Sequence, residues 1–353
     1  MTPDLRAAAA RNLSLLLRHA PRRTTAQFLR HHSTTQSSVS SDELTHFASL
    51  ASSWWDPLGP SRILHLMNPL RHEFIASCLS EGKPGVPDSA EKNGRQEEEV
   101  EKPGLRYLDI GCGGGIFAES LARTIPLSYS TFSTQTNASS LLAIDPSPVM
   151  IEIALSHARK DPTLHSHLQS GKFKYKTTTL ESLVSRSTPS SSSTMPSAPP
   201  PPTTNPSDFD IVTIFEVLEH VDPSTSSPRQ FIENCLRLVR PGGWLIGSTI
   251  ARTWPSFIVN QLLAEAPWPI GVVPRGTHEW SKFVNVDELR TWSRSVRVEE
   301  EGLESGVSTR GPPRYLDTKW KCVGAVYLPG IGWKLVPGSE EWGNYFWGIQ
   351  KLR

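Results

Sequence analysis

The stretch Arg106-Tyr-Leu-Asp-Ile-Gly-Cys-Gly-Gly-Gly-Ile-Phe-Ala-Glu-Ser-Leu-Ala122 decides how this chain folds. A short apolar strand runs into Gly111, Gly113 and Gly115, and a helical pattern follows. Glycine lets the backbone approach a ligand closely, because it carries no Cβ and tolerates unusual dihedrals. The dinucleotide fingerprint G-x-G-x-x-G would need glycine at 116, where Ile116 stands, so the loop fits a nucleoside without a pyrophosphate better. Asp145 ends a second apolar run, Leu141-Leu-Ala-Ile-Asp145, where a carboxylate can accept hydrogen bonds from both hydroxyls of a ribose.

Later segments repeat the alternation. Asp208–Phe215 reads as a buried strand, followed by Glu216-Val-Leu-Glu-His-Val221. Phe231–Arg240 has helical spacing and stops at Pro241-Gly242-Gly243, and Trp244–Thr249 reads as the next strand. Strands alternating with helices imply a doubly wound α/β fold with a mostly parallel sheet. Ligands of such sheets bind at the carboxyl ends of the strands. The glycine loop, Asp145 and the Glu216–His220 segment all fall on that edge. Together they point to an S-adenosylmethionine (SAM) site with Gly111, Gly113 and Asp145 holding the cofactor. Lys319–Tyr327, Gly332–Val336 and Tyr345–Gln350 read as closing antiparallel strands, with Tyr327, Trp333 and Trp347 as core aromatics.

Composition bounds the rest. The 353 residues carry a net charge of +1, which argues against a nucleic-acid partner held by a basic field. No run of about 18 apolar residues suits a spanning helix. The four cysteines are scattered without metal spacing. Residues 1–35 carry six arginines against the single acid Asp4, with Leu13, Leu15, Leu16 and Leu17 on an apolar side, so they read as an organellar transit peptide, mitochondrial once the resemblance below is counted. Residues 42–353 form the expected catalytic domain, interrupted near 82–104, 129–140 and 185–207 by low-complexity inserts too polar to offset backbone ordering.

Two further motifs carry a resemblance. Phe47-Ala-Ser-Leu-Ala-Ser-Ser-Trp-Trp-Asp-Pro-Leu-Gly59 and Leu64-His-Leu-Met-Asn-Pro-Leu-Arg71, with Gly276–Phe283, closely resemble the ubiquinone-biosynthesis O-methyltransferases, from about Asp42 to the C-terminus apart from the inserts. The resemblance implies a class I methyltransferase sheet of seven strands with an antiparallel C-terminal strand. It implies O-methylation of 3,4-dihydroxy-5-polyprenylbenzoate and of demethylubiquinol, at the matrix face of the inner mitochondrial membrane, within a multi-protein complex. It also implies Arg71 on the SAM carboxylate, Gly111 on its methionine side, Asp145 on its ribose and Phe215 lining the cofactor. Glu216, Glu219 and His220 match positions at which mitochondrial members use Mg2+.

The chemistry gives those residue types a purpose. A phenol titrates near ~10, so only about one catechol hydroxyl in a thousand is ionised at neutral pH. A divalent cation on both oxygens, or a base such as His220 or Glu216, would ease the proton's departure. The same Glu-x-x-Glu-His-Val pattern also serves, without metal, to position cofactor and substrate. Another small-molecule acceptor, or a silent SAM-binding scaffold, are the competing functions. Between Arg252 and Arg275 only Glu265 is charged among many apolar residues, which suits either docking on a membrane surface or a lid over the active site.

Overall fold

The computed structural model describes residues 37–59, 61–82, 104–127, 134–187, 209–256, 280–296, 315–328 and 330–352, all within one compact unit, Thr35–Arg353. The transit peptide, most of the three inserts and most of the apolar stretch 252–275 lie outside the described residues.

Helix α1 (Ser41–Leu50) starts at Ser40, whose hydroxyl accepts the Glu43 N–H and so satisfies one orphan donor of the first turn. A 3-10 turn, Ala51–Ser53, leads to the two tryptophans, and α2 (Arg62–Glu81) follows. Strand β1 (Leu105–Ile110) then enters the glycine loop and α3 (Ile116–Ala122). Next come β2 (Ala138–Asp145), α4 (Pro148–Ala158), α5 (Pro162–Ser170), β3 (Phe173–Thr177) and α6 (Leu180–Ser187). Strand β4 (Phe209–Phe215), a 3-10 turn (Leu218–His220), α7 (Pro228–Leu238) and β5 (Val239–Ile250) continue the winding. A single turn, α8 (Trp254–Ser256), then α9 (Val286–Arg294), β6 (Thr318–Leu328), β7 (Gly332–Val336) and β8 (Asn344–Lys351) close the chain.

The strands lie in the order β3-β2-β1-β4-β5-β8-β6-β7, so the described sheet has eight strands rather than the expected seven. The first five are parallel, β8 is antiparallel to β5, and the additional strand, β7, pairs only with β6 as an edge hairpin. Alternation of side chains sends successive residues to opposite faces. Tyr107, Trp244, Ile246 and Phe346 join the core beneath α2 and α3. Leu108, Leu245, Tyr345 and Trp347 join the core beneath α7 and α9. Helices therefore cover both faces, as a doubly wound sheet requires.

Two boundaries differ from the sequence reading. Strand β2 begins at Ala138, inside the Ser/Thr-rich stretch, because Thr136 is buried just before it and its carbonyl accepts the Tyr107 hydroxyl (2.6 Å). Strand β5 begins at Val239, which pairs with Phe209, and the ladder resumes only at Trp244 opposite Ile211. Arg240–Gly243 forms the bulge between them, with Gly242 at φ +81°. The order of strands reverses between β1 and β4, which opens the crevice where such sheets hold ligands.

Candidate active site

The glycine loop takes the shape its residues permit. Gly111, Gly113 and Gly115 have φ of +71°, +51° and +91°, and the N–H groups of Gly111 and Cys112 both donate to the Ile144 carbonyl at the end of β2. Asp145 closes the loop against β2: one carboxylate oxygen accepts the Gly113 N–H (2.9 Å) and the other the Ser147 N–H (2.8 Å). Burial raises its proton affinity and these two donors oppose that rise. Asp145 is thereby fixed beside Gly113, with acceptor capacity left on each oxygen.

Arg71 comes from α2 and is 3% exposed. Its Nη1 donates to Asn68 Oδ1 (3.0 Å), its Nε has no partner, and no carboxylate forms an ion pair with it among the described residues. The guanidinium instead lies over the rings of Phe215 (5.2 Å) and Phe117 (5.7 Å). Burial lowers its proton affinity, which the charges of Glu216 and Asp109 partly restore. A buried cation with no matching anion is costly unless a ligand supplies one. Phe215 ends β4 and packs edge-on against Phe117 (4.6 Å). Asp109, on β1, accepts the Thr213 hydroxyl (2.7 Å) and is pushed up to about 7, chiefly by burial.

Beyond β4 the chain turns through Glu216, which sits at φ +57°, a left-handed conformation uncommon for a residue with a side chain. Its carboxylate accepts the Ser248 hydroxyl (2.6 Å) and the Asn344 amide (3.3 Å). Glu219 is 5% exposed and accepts the Thr249 hydroxyl (2.9 Å). Burial, then the charge of Glu216, push its carboxyl up to about 7. Burial pulls His220 down, but its hydrogen bond to Glu43 (3.2 Å) and the charges of Glu219, Glu43 and Glu216 outweigh this and raise it. Glu43 is held at about 2, first by that same bond, and also accepts the Lys282 ammonium (3.1 Å).

The sequence-derived cofactor residues Arg71, Gly111, Gly113, Asp145 and Phe215 thus gather at the ends of β1, β2 and β4. The expected Mg2+ set does not. Two carboxylates and an imidazole are suitable donors for a hard cation, but Glu216 turns to Ser248 and Asn344, Glu219 to Thr249 and His220 to Glu43. Among the described residues no group of three such side chains converges in a way that could hold a metal. Glu216 stands at positive φ outside the 3-10 turn that carries Glu219 and His220. In this conformation the three side chains do not fit the ion.

Sequence reasoning missed Glu43, Ser248, Thr249 and Asn344, which no local motif marks. It also read the two tryptophans only as a family mark. Trp55 Nε1 donates to the Gly114 carbonyl (2.9 Å), its ring stacks on His157 at 3.5 Å, and Trp54 lies along Gly113 and Gly114.

A family model described as a methyltransferase domain matches residues 85–296. The ubiquinone biosynthesis O-methyltransferase, mitochondrial, of Candida albicans is 33% identical over 90% of this chain and 86% of its own. Its namesake in Saccharomyces cerevisiae is 31% identical over 89% and 88%. The ubiquinone biosynthesis O-methyltransferase of the bacterium Alkalilimnicola ehrlichii is 32% identical over 74% of this chain and 80% of that one. With a doubly wound sheet, a glycine loop pinned to a carboxylate and this degree of likeness, the chain belongs to the ubiquinone biosynthesis O-methyltransferase family, enzymes that take their methyl group from SAM.

Proposed function

We propose that the chain methylates catechol-type hydroxyls of polyprenylated ubiquinone precursors, both 3,4-dihydroxy-5-polyprenylbenzoate and demethylubiquinol. The observation that carries this reading is Arg71: a buried guanidinium with no carboxylate partner, lying over Phe215 at the end of β4, suits, with Asp145 at the end of β2, a ligand with both a carboxylate and a ribose. SAM has both. In the reaction the acceptor oxygen attacks the sulfonium methyl in line, the S–CH3 electron pair returns to sulfur, and the acceptor's proton passes to a base.

His220 is the base in this reading. With Nδ1 engaged by Glu43, Nε2 is the nitrogen left to take a proton, and the neighbouring carboxylates strengthen that affinity. Glu216 and Glu219 supply a negative field that favours the imidazolium as it forms. No step passes through Mg2+. A cation held by Glu216, Glu219 and His220 would have to draw the two carboxylates from Ser248 and Thr249 toward His220 Nε2, a rearrangement that metal titration followed through the His220 ring signals would reveal.

The prenyl tail calls for a membrane surface. Support comes from Trp254, 74% exposed just after β5, and Trp280, whose ring centre lies 6.5 Å away. No helix of the described residues is long and apolar enough to cross a membrane. The arginine-rich leader, together with the mitochondrial names of fungal relatives, supports action in the mitochondrion, and we place the chain at the matrix side of the inner membrane as a peripheral member of a multi-protein complex.

A strain lacking the chain tests the reading. Its quinone intermediates should accumulate as the unmethylated dihydroxybenzoate, with demethylubiquinol appearing when only the later step is blocked. A normal ubiquinone profile would overturn it.

A further inference from the structure

Trp54 and Trp55 are neighbours on one turn, yet their indole N–H groups fare differently. Trp55 donates to the Gly114 carbonyl (2.9 Å). Trp54 is 7% exposed, and its Nε1 is buried without any acceptor. Burial of an unpaired donor is unfavourable, so each such group calls for an explanation.

Its position supplies one. A Cβ placed on Gly114 would lie 2.6 Å from Trp54 Nε1, and one on Gly113 would lie 3.0 Å from the ring's Cζ2. Gly113 is the residue whose N–H donates to Asp145. The indole therefore stands against the two loop residues nearest the ribose acceptor, packed with Ile116 and Met150. Trp347 also has an unpaired indole nitrogen, but it lies in the core beneath α7 and α9, where no ligand loop passes. The loop, rather than the missing partner alone, gives Trp54 its meaning.

We infer that Trp54 is a cofactor contact: its indole N–H donates to a ribose hydroxyl of bound SAM. Two contacts with the ribose then come from different parts of the chain. Asp145 accepts from it, and Trp54 donates to it. The glycines at 113 and 114 are as necessary for the indole as for the ligand, since any side chain at 114 would overlap the ring. The inference rests on the SAM reading above.

The test uses the full chain and two probes, S-adenosylhomocysteine and 5′-methylthioadenosine, which keeps the nucleoside and lacks the amino acid. Trp54→Phe keeps an aromatic ring in place and removes the donor. Calorimetry should show both probes bound about five- to tenfold more weakly, with an unchanged melting temperature. In protein carrying 15N-labelled tryptophan, the indole signal missing from Trp54→Phe should move downfield and exchange more slowly when S-adenosylhomocysteine is added. Affinities within twofold of the parent and an unmoved indole signal would overturn the contact. Loss confined to S-adenosylhomocysteine would overturn the ribose assignment in favour of the carboxylate. If the parent itself binds neither probe, the SAM reading fails instead.

Discussion

At the ends of β1 and β2 the loop's main chain donates to the Ile144 carbonyl and the Asp145 carboxylate, whereas at the ends of β4 and β5 side chains also meet other side chains. The cofactor half holds glycines at positive φ, where that conformation carries no steric cost, and pins them through Ile144 and Asp145. The acceptor half holds Glu216 at positive φ, which does carry one, and crowds two carboxyls and an imidazole around Ser248, Thr249 and Asn344. In the first arrangement the loop is tied to β2 through main-chain donors. The second holds Glu219, whose carboxyl burial pushes up to about 7, beside an imidazole whose proton affinity Glu43 raises. A transferase needs both: a fixed donor and an acceptor side that can take a proton.

Arg71 breaks the comparison most severely if it belongs to the fold rather than the cofactor. Arg71→Met should weaken SAM binding about a hundredfold, roughly 2.7 kcal/mol, as expected for loss of charge-assisted hydrogen bonds. Thermal stability should hold or rise, since the change removes a buried charge without an ion-pair partner. A lowered melting temperature with intact SAM affinity would return Arg71 to the fold.

Asp145→Ala should raise the SAM dissociation constant about ten- to a hundredfold, because the ribose acceptor is lost and Gly113 is no longer pinned. Unchanged calorimetric binding would remove Asp145 from the site.

Glu219 sharpens the other side. The folded state holds its proton more tightly than the unfolded chain, with a value near 7 against 4.5. Its contribution to stability is therefore full below about pH 4.5 and is lost as pH rises through about 7. Glu219→Gln keeps the shape and the Thr249 contact but cannot ionise. Between pH 5 and 8 the parent's melting temperature should fall relative to the variant's by on the order of 5 °C. Parallel curves would show that Glu219 does not titrate in that range.

The same division governed what could be read in advance. The cofactor half is written in contiguous sequence: strand, glycines, helix, then an acid closing the next apolar run. The acceptor half is not. His220 finds Glu43 across 177 residues and Glu216 finds Asn344 across 128, and neither partner stands in a local pattern. The resemblance implied Glu216, Glu219 and His220 as a shared ligand set, but their contacts with Ser248, Thr249 and Glu43 come from distant segments that no local pattern marks. Strand boundaries failed for a related reason. Ala138-Ser-Ser140 looks like loop by composition but pairs with β1, where tertiary hydrogen bonding overrides weak strand propensity.

Turnover on a short-chain 3,4-dihydroxy-5-prenylbenzoate with SAM, in buffer containing magnesium, tests the central claim most directly. The account predicts one S-adenosylhomocysteine released per acceptor consumed, with the new methyl on a ring oxygen by mass spectrometry and NMR. A protein that binds S-adenosylhomocysteine yet transfers no methyl to that catechol or to a short-chain demethylubiquinol, or transfers it to carbon, would contradict it.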